Sequence, residues 1–212
     1  MPKIAPFEKY VEQYEAWFVK NRWVYEAELR AVKSVLPAEG LGVEIGVGTG
    51  RFAEPLGIKI GMEPSKRMRE IAQQRGIQVL NGVAEELPFQ DSKFDFALMV
   101  TTICFVDNAQ KAILEAHRVL SYEGFLIIGF VDRSSMMGQA YLEHQNESVF
   151  YKEATFFSVN ELIEIMNQSG FIDLTFKQTI FQTLSETTRD EPVKPGYGEG
   201  SFVVMRGKKE GR

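Results

Sequence analysis

The chain has 212 residues, 44% of them hydrophobic, which is enough to fill one domain core and too few for two large ones. A formal net charge of −5 and a pI of 5.3 argue against a nucleic-acid footprint or attraction to an anionic membrane. No apolar run approaches the roughly 20 residues that span a bilayer, and the N-terminus lacks the apolar stretch of a signal peptide. The single cysteine, Cys104, excludes a disulfide within the chain, so a cytoplasmic location is expected.

Phe7, Tyr10, Val11, Tyr14, Trp17 and Phe18 recur at three- and four-residue steps, which predicts a helix with a broad aromatic face. A second helix carrying Val24, Ala27, Ala31, Val32 and Val35 is predicted between a break near Asn21 and Pro37. The aromatic face has two readings. It is ordinary core, or the first helix is a lid whose Tyr10, Tyr14 and Trp17 close over a ligand, with Arg22 and Tyr25 adding polar groups.

Val43-Glu44-Ile45 then reads as a short buried strand running into Gly46-Val47-Gly48-Thr49-Gly50-Arg51. Glycines at such a turn tolerate positive φ and let a ligand lie against bare backbone. A dinucleotide fingerprint has G-x-G-x-x-G, but here the spacing is G-x-G-x-G and Arg51 stands at the place of the third glycine. Glu44 would repel a phosphate and attract a ligand bearing an amine and a sulfonium. The stretch resembles the first motif of class I S-adenosylmethionine-dependent methyltransferases, E/D-x-G-x-G-x-G, with Glu44, Gly46, Gly48 and Gly50 matching position for position. That resemblance implies an α/β, Rossmann-like doubly wound sheet of about seven strands, the last antiparallel, with helices on both faces. It also implies S-adenosylmethionine as cofactor and favours the lid reading of the N-terminal segment.

Ile58 to Met62 is predicted as the second strand, with Glu63 and Pro64 at its carboxyl end. Glu63 lies 63 − 46 = 17 residues beyond Gly46 and suits a ribose diol in either cofactor class. Ser65 caps a helix carrying Met68, Ile71 and Ala72, which stops at Gly76. A third strand over 77–80 leads into Val83-Ala84-Glu85-Glu86-Leu87-Pro88-Phe89. This segment is similar to the A-E-x-L-P-F signature of small-molecule methyltransferases, including those of ubiquinone and menaquinone biosynthesis, where the loop holds the adenine. Val83 replaces the aspartate frequent in the family, leaving the adenine amine to Glu85 or a backbone carbonyl and the ring nitrogen to the Ala84 amide.

Phe94 to Val100 is apolar enough for a central parallel strand buried on both faces. The turn after it places Thr101 and Thr102 against the methionine part of the cofactor and Phe105 as an apolar wall. The chain lacks an N-P-P-Y signature here, which disfavours methylation of a nucleobase or a glutamine amide. Cys104, with no basic neighbour in sequence, is expected to be inert packing. A helix over 108–120 and a strand over 125–131 follow. Glu115 to Leu120 is similar to the family's E-x-x-R-V-L, and His117 is read as a helix-packing residue.

Residues 132–157 mix Met and aromatics with polar groups, and read either as an acceptor lid or as packing over the sheet edge. His144 and Tyr14 are the candidates for a catalytic acid or base, with Tyr151 to orient the histidine. Tyr10, Tyr14, Trp17, Phe105 and Tyr151 are the candidate acceptor-pocket residues. Ser158 to Glu161 is a capping box, and Gly170 ends that helix. A strand over 174–181 and a last one over 201–205 form an antiparallel pair, separated by the loop 192–200 with Tyr197. Arg206, Lys208, Lys209 and Arg212 read as a solvated tail.

The expected organisation is one domain: a helical lid over 1–38, a cofactor-binding core over 39–131, and a substrate-side insertion with a closing αββ unit over 132–212. The expected activity is methyl transfer from S-adenosylmethionine to a small molecule, with no metal, nucleic acid or membrane span. Two alternatives remain: a non-enzymatic S-adenosylmethionine-binding protein, and a nicotinamide-dependent oxidoreductase. Glu44, Arg51 and the lack of a Tyr-x-x-x-Lys pair oppose the latter.

Overall fold

Short runs bounded by glycine and polar turns give eight strands among the described residues: β1 (Gly42–Ile45), β2 (Ile60–Met62), β3 (Gln78–Leu80), β4 (Phe94–Val100), β5 (Leu120–Val131), β6 (Phe171–Thr179), β7 (Lys194–Pro195) and β8 (Phe202–Lys209). The structure, a computed structural model, describes residues 3–211. The strands make one sheet in the order β3-β2-β1-β4-β5-β8-β6-β7. Pairings from β3 to β5 are parallel, and β8 runs antiparallel between β5 and β6. The seven expected strands are joined by β7, a two-residue edge strand within the loop 192–200 that pairs with Lys177 and Gln178.

Among the described residues eight α-helices accompany the sheet: α1 (Ala5–Lys9), α2 (Val11–Lys20), α3 (Arg22–Lys33), α4 (Ala53–Leu56), α5 (Lys66–Gln74), α6 (Ala109–Val119), α7 (Met136–Glu143) and α8 (Val159–Gln168). Alternation along the strands divides the core in two. Val43, Ile45, Met99, Leu126 and Ile128 pack with Ile113 and Ala116 of α6 and Leu162 and Met166 of α8. On the other face Leu98, Val100 and Ile127 pack with Val24, Ala31 and Val32 of α3 and Ala72 of α5. The doubly wound arrangement follows, with the order reversing between β1 and β4.

Two features differ from the sequence reading, one at the N-terminus and one in the last strand. The N-terminal segment forms three helices instead of two, because Tyr10 (φ −119°, ψ 38°) breaks the first as Asn21 breaks the second. The helix after the glycine turn is a single turn, α4, closed by Gly57 in the left-handed region. The basic residues near the end are not a solvated tail. Arg206, Lys208 and Lys209 lie in β8, where Lys209 Nζ is buried and donates to the carbonyls of His117 (2.8 Å) and Leu120 (2.7 Å). Arg206 lies 3.6 Å from the Phe125 ring centroid, a cation–π contact. Arg212 falls outside the described residues.

One clamp fixes the loop that follows β3. From α6, Arg118 donates to the carbonyls of Leu87 (2.9 Å) and Phe89 (2.8 Å) and pairs with Glu115, whose Oε2 accepts the Leu87 amide at 2.8 Å. The E-x-x-R spacing therefore puts both side chains on the face of α6 that meets Leu87-Pro88-Phe89. Arg118→Ala leaves those carbonyls and Glu115 without their donor, so it is expected to lower unfolding free energy by about 1–3 kcal/mol. Urea denaturation monitored by circular dichroism checks this, and an unchanged midpoint would contradict the clamp.

Candidate active site

The ends of three strands meet where the sheet order reverses. After β1 the chain turns through Gly46 (φ +72°) and Gly48 (φ +55°). A Cβ on Gly46 would lie 2.4 Å from Thr102 Cγ2, so the turns after β1 and β4 touch only because position 46 is bare. Thr102 Oγ1 donates to the Gly46 carbonyl at 3.3 Å. Thr101 holds φ 51°, uncommon for a β-branched residue, while its amide donates to Gly129 at 2.8 Å.

Glu63, at the end of β2, is buried, with Oε2 accepting the Gly48 amide (3.0 Å) and Oε1 the Ser65 amide (2.9 Å). Burial pushes its pKa up to about 7 against the downward pull of those amides and of Arg69. A carboxylate has about four acceptor positions, so the pair left over suits a diol.

These groups border a cavity of about 490 Å³, within the range of small-molecule sites. One end is lined by Met62, Glu63, Pro64, Val83, Ala84 and Glu85. It continues past Gly46, Gly48, Thr101 and Thr102 into a chamber walled by Tyr14, Trp17, Phe18, Phe52, Tyr141 and Tyr151. Phe105 stacks on Tyr151 at 5.8 Å, and Tyr151 on Tyr141 at 5.0 Å.

Helices α1 and α2 roof the cavity, held by carboxylates spaced along the segment. Glu8 accepts from the Ser65 hydroxyl and the Arg67 amide, and Glu12 pairs with Arg67. Glu15 gathers Thr49, Arg51 and Arg75 (2.7 Å) beside the glycine turn. Burial raises the Glu15 pKa, but its bonds to Arg51, Thr49 and Arg75 outweigh that and leave it lowered. The sequence reading saw only the aromatic face of this segment. The acids at 8, 12 and 15, a second stripe at helical spacing, were the available signal.

Of the residues expected at the cofactor, Gly46, Gly48, Glu63, Pro64, Ala84, Glu85, Thr101 and Thr102 line the cavity. Glu44 and Gly50 do not. Strand alternation turns Glu44 to the sheet face opposite Val43 and Ile45, where it is buried beside the Ala53 amide with Oε2 unpartnered. Burial raises its pKa well above the usual carboxylate range. Gly50 serves packing, since a Cβ there would meet Ile77 Cδ1 at 2.5 Å. Glu85 reaches the cavity wall, but its Oε1 accepts the amides of Asp107 (2.6 Å) and Asn108 (3.1 Å), tying the loop to the start of α6.

Of the expected pocket residues, Tyr14, Trp17, Phe105 and Tyr151 line the cavity, and Tyr10 does not. The break between α1 and α2 rotates Tyr10 out of the stripe, with Lys9 over its ring. Tyr25 donates to the Arg51 carbonyl and Arg22 pairs with Glu26, both away from the cavity. Tyr197 packs on Phe176 instead. His144 stands at the rim, its side chain 69% exposed and its Nδ1 3.4 Å from Glu147. Cys104 is buried, its pKa pushed up to about 12, and its thiol points at the Thr101 carbonyl (3.1 Å).

A cavity residue that the sequence reading missed is Glu28 of α3. It is 5% exposed and sits between Val24 and Val32 on the buried stripe of the helix. Among the described residues its carboxyl has no hydrogen-bond or ion-pair partner, and burial alone pushes its pKa up to about 8. An acid four residues from each of two valines on the same apolar stripe was the signal.

The comparisons with known proteins decide the family. Residues 43–128 match the family described as a methyltransferase domain. A crystal structure of a Thermotoga maritima S-adenosylmethionine-dependent methyltransferase, described as a possible histamine N-methyltransferase, is 56% identical. It aligns with a TM-score of 0.96 over 98% of this chain and 100% of that one. The chain belongs to the S-adenosylmethionine-dependent methyltransferases. An uncharacterized protein of Methanocaldococcus jannaschii is 47% identical to this methyltransferase over 203 residues, 96% of this chain and 98% of its own. Likeness to the Xenopus laevis mitochondrial 2-methoxy-6-polyprenyl-1,4-benzoquinol methylase, 38% identical, extends over 74 residues, 34% of this chain and 23% of that one. Nothing in these relatives supports the oxidoreductase alternative. No helix of the methyltransferase, among the described residues, is long and apolar enough to cross a membrane.

The raised carboxyls make stability depend on pH. Glu28 and Glu63 have folded pKa values of about 8 and about 7, above the ordinary 4.5. Their contribution is full where both folded and unfolded forms are protonated, and is lost as pH rises through the folded values. The ligand-free methyltransferase is therefore expected to melt at progressively lower temperature from about pH 5 to about pH 8.5. Glu28→Gln should flatten that decline. Scanning fluorimetry across the range checks both, and an identical slope in the variant would contradict the assignment.

Proposed function

We propose that the methyltransferase binds S-adenosylmethionine along the crevice after β1, β2 and β4 and methylates a small acceptor in the aromatic chamber beneath α2. The observation that carries this reading is the continuity of the cavity from Glu63 to Tyr14 and Tyr151. In it, Glu63 takes the ribose hydroxyls, the 83–85 loop faces the adenine, and the Gly46–Gly48 turn with Thr101 and Thr102 holds the methionine part. Glu44 supports the turn from beneath.

When bound, the cofactor supplies an electrophilic methyl on a sulfonium. The chain's own residues then have to align the acceptor and keep water out. The roof latched by Glu8, Glu12 and Glu15 suits the second task. Tyr14 suits the first: its hydroxyl lies 3.1 Å from where a Cβ on Gly48 would be, over the glycine turn. Burial, with the charges of Glu63 and Glu44, raises its pKa far enough to make it a hydrogen-bonding group and not a base. His144, at the rim, is a poorer candidate for proton transfer than its residue type suggested.

The Thermotoga relative's description names an amine acceptor, histamine, whereas the likeness to a benzoquinol methylase is short. The shared A-E-x-L-P-F motif belongs to the cofactor loop and speaks to the cofactor. A one-domain organisation, with the 1–38 segment as lid, and a cytoplasmic setting accord with this reading. Calorimetric titration with S-adenosylhomocysteine tests it. Glu63→Ala should weaken binding by about tenfold or more through loss of charged hydrogen bonds. Undiminished affinity in a folded variant would overturn the ribose assignment.

A further inference from the structure

We propose that Glu28 selects the acceptor, and that the acceptor is a small amine that docks as a cation on an apolar body. This rests on the reading of the aromatic chamber as the acceptor site. The observations are geometric. Glu28 is 95% buried by its 5% exposure, lines the chamber, and has no partner among the described residues.

An apolar residue at position 28 would complete the stripe of Val24, Ala27, Ala31 and Val32 against the sheet. A lone buried carboxyl there is unfavourable in its charged form, since no donor among the described residues satisfies it. A positive charge or N–H donor brought into the cavity removes that unfavourable term and favours the ionised carboxylate. Among the described residues that line the cavity no cation does so: Lys3 reaches Thr155 at 3.5 Å, and His144 faces Glu147 at the rim.

Two phenols, Tyr141 and Tyr151, line the same chamber as Glu28. Burial and then the Glu28 charge raise the Tyr141 pKa, and Glu28 also contributes to the rise at Tyr151, so both remain neutral. With Tyr14 and Trp17 they present ring faces to the same chamber, a setting that attracts an ammonium and its apolar carrier together. A neutral alcohol of the same shape loses the ion pair, and a carboxylate meets Glu28 directly. The raised pKa adds one consequence: a docking ammonium ionises Glu28 and releases a proton near neutral pH.

The test is calorimetry on the full chain saturated with S-adenosylhomocysteine, titrated with 2-phenylethylamine, 2-phenylethanol and 3-phenylpropanoate. The amine is expected to bind at least about tenfold more tightly than the alcohol, the strength of one charge-assisted contact, and the acid not at all. In Glu28→Gln the amine's advantage should vanish while S-adenosylhomocysteine affinity is kept. In the unsubstituted protein, amine titrations in two buffers of different ionisation enthalpy should show proton release, which needs no variant. Equal binding of amine and alcohol, no amine binding, or an amine preference that survives in Glu28→Gln would each overturn the proposal. If the unsubstituted protein fails to take S-adenosylhomocysteine, the underlying cofactor reading falls. If it binds the cofactor normally without preferring the amine, only the role of Glu28 falls.

Discussion

The close approach of two backbone turns at Gly46 is the constraint from which the site follows. β1 lies beside the parallel strand β4 in the middle of the sheet, so the turns leaving β1 and β4 emerge side by side at the carboxyl ends of the strands. They do so in contact, with Thr102 occupying the space a side chain at 46 would need. The amides of Gly46 and Val47 both donate to the Met62 carbonyl, at 2.8 and 3.0 Å, which ties the same turn to the end of β2. Glu63 is thereby held beside Gly48, and the crevice is set before any ligand arrives. Preorganisation of this kind lowers the ordering cost of binding.

The two sides of the cavity are stabilised differently. Beneath it, Leu98, Val100 and Ile127 form a close-packed apolar layer with α3. Above it, α1 and α2 are held both by the buried side chains of Val11 and Phe18 and by Glu8, Glu12 and Glu15 on Ser65, Arg67, Thr49, Arg51 and Arg75. Part-exposed ion pairs contribute little each. The buried carboxyls of Glu28, Glu44 and Glu63 lie on the same side of this balance. Each is unfavourable in a folded interior, and two of them border the cavity.

Much of the fold was legible because its signals are local. The apolar run of β4, the N-cap serines at 65 and 158 and the glycine turn after β1 each dictate their own conformation. The errors came where tertiary contact overrides local pattern. Lys209 reads as a tail residue until two carbonyls from the end of α6 receive its ammonium. Tyr10 fits a helical stripe until the chain breaks at that very residue. Glu44 matches the motif, and the period-2 geometry of a strand places it on the opposite face from Val43 and Ile45, outside the cavity lining. Glu28 was passed over because attention to apolar spacing discards the one residue that violates it. An acid inside an apolar stripe conflicts with its surroundings, and such conflicts gather at functional sites.

The most direct measurement is a crystal structure of the chain with S-adenosylhomocysteine. The adenosyl ribose should lie on the Glu63 carboxylate, with the homocysteine sulfur directed into the chamber bounded by Tyr14, Tyr151 and Glu28. The space beside Glu28 should remain open to an acceptor. A ligand that filled the Glu28 chamber itself, or lay outside the Gly46–Gly48 crevice, would contradict the division of the cavity into cofactor and acceptor ends.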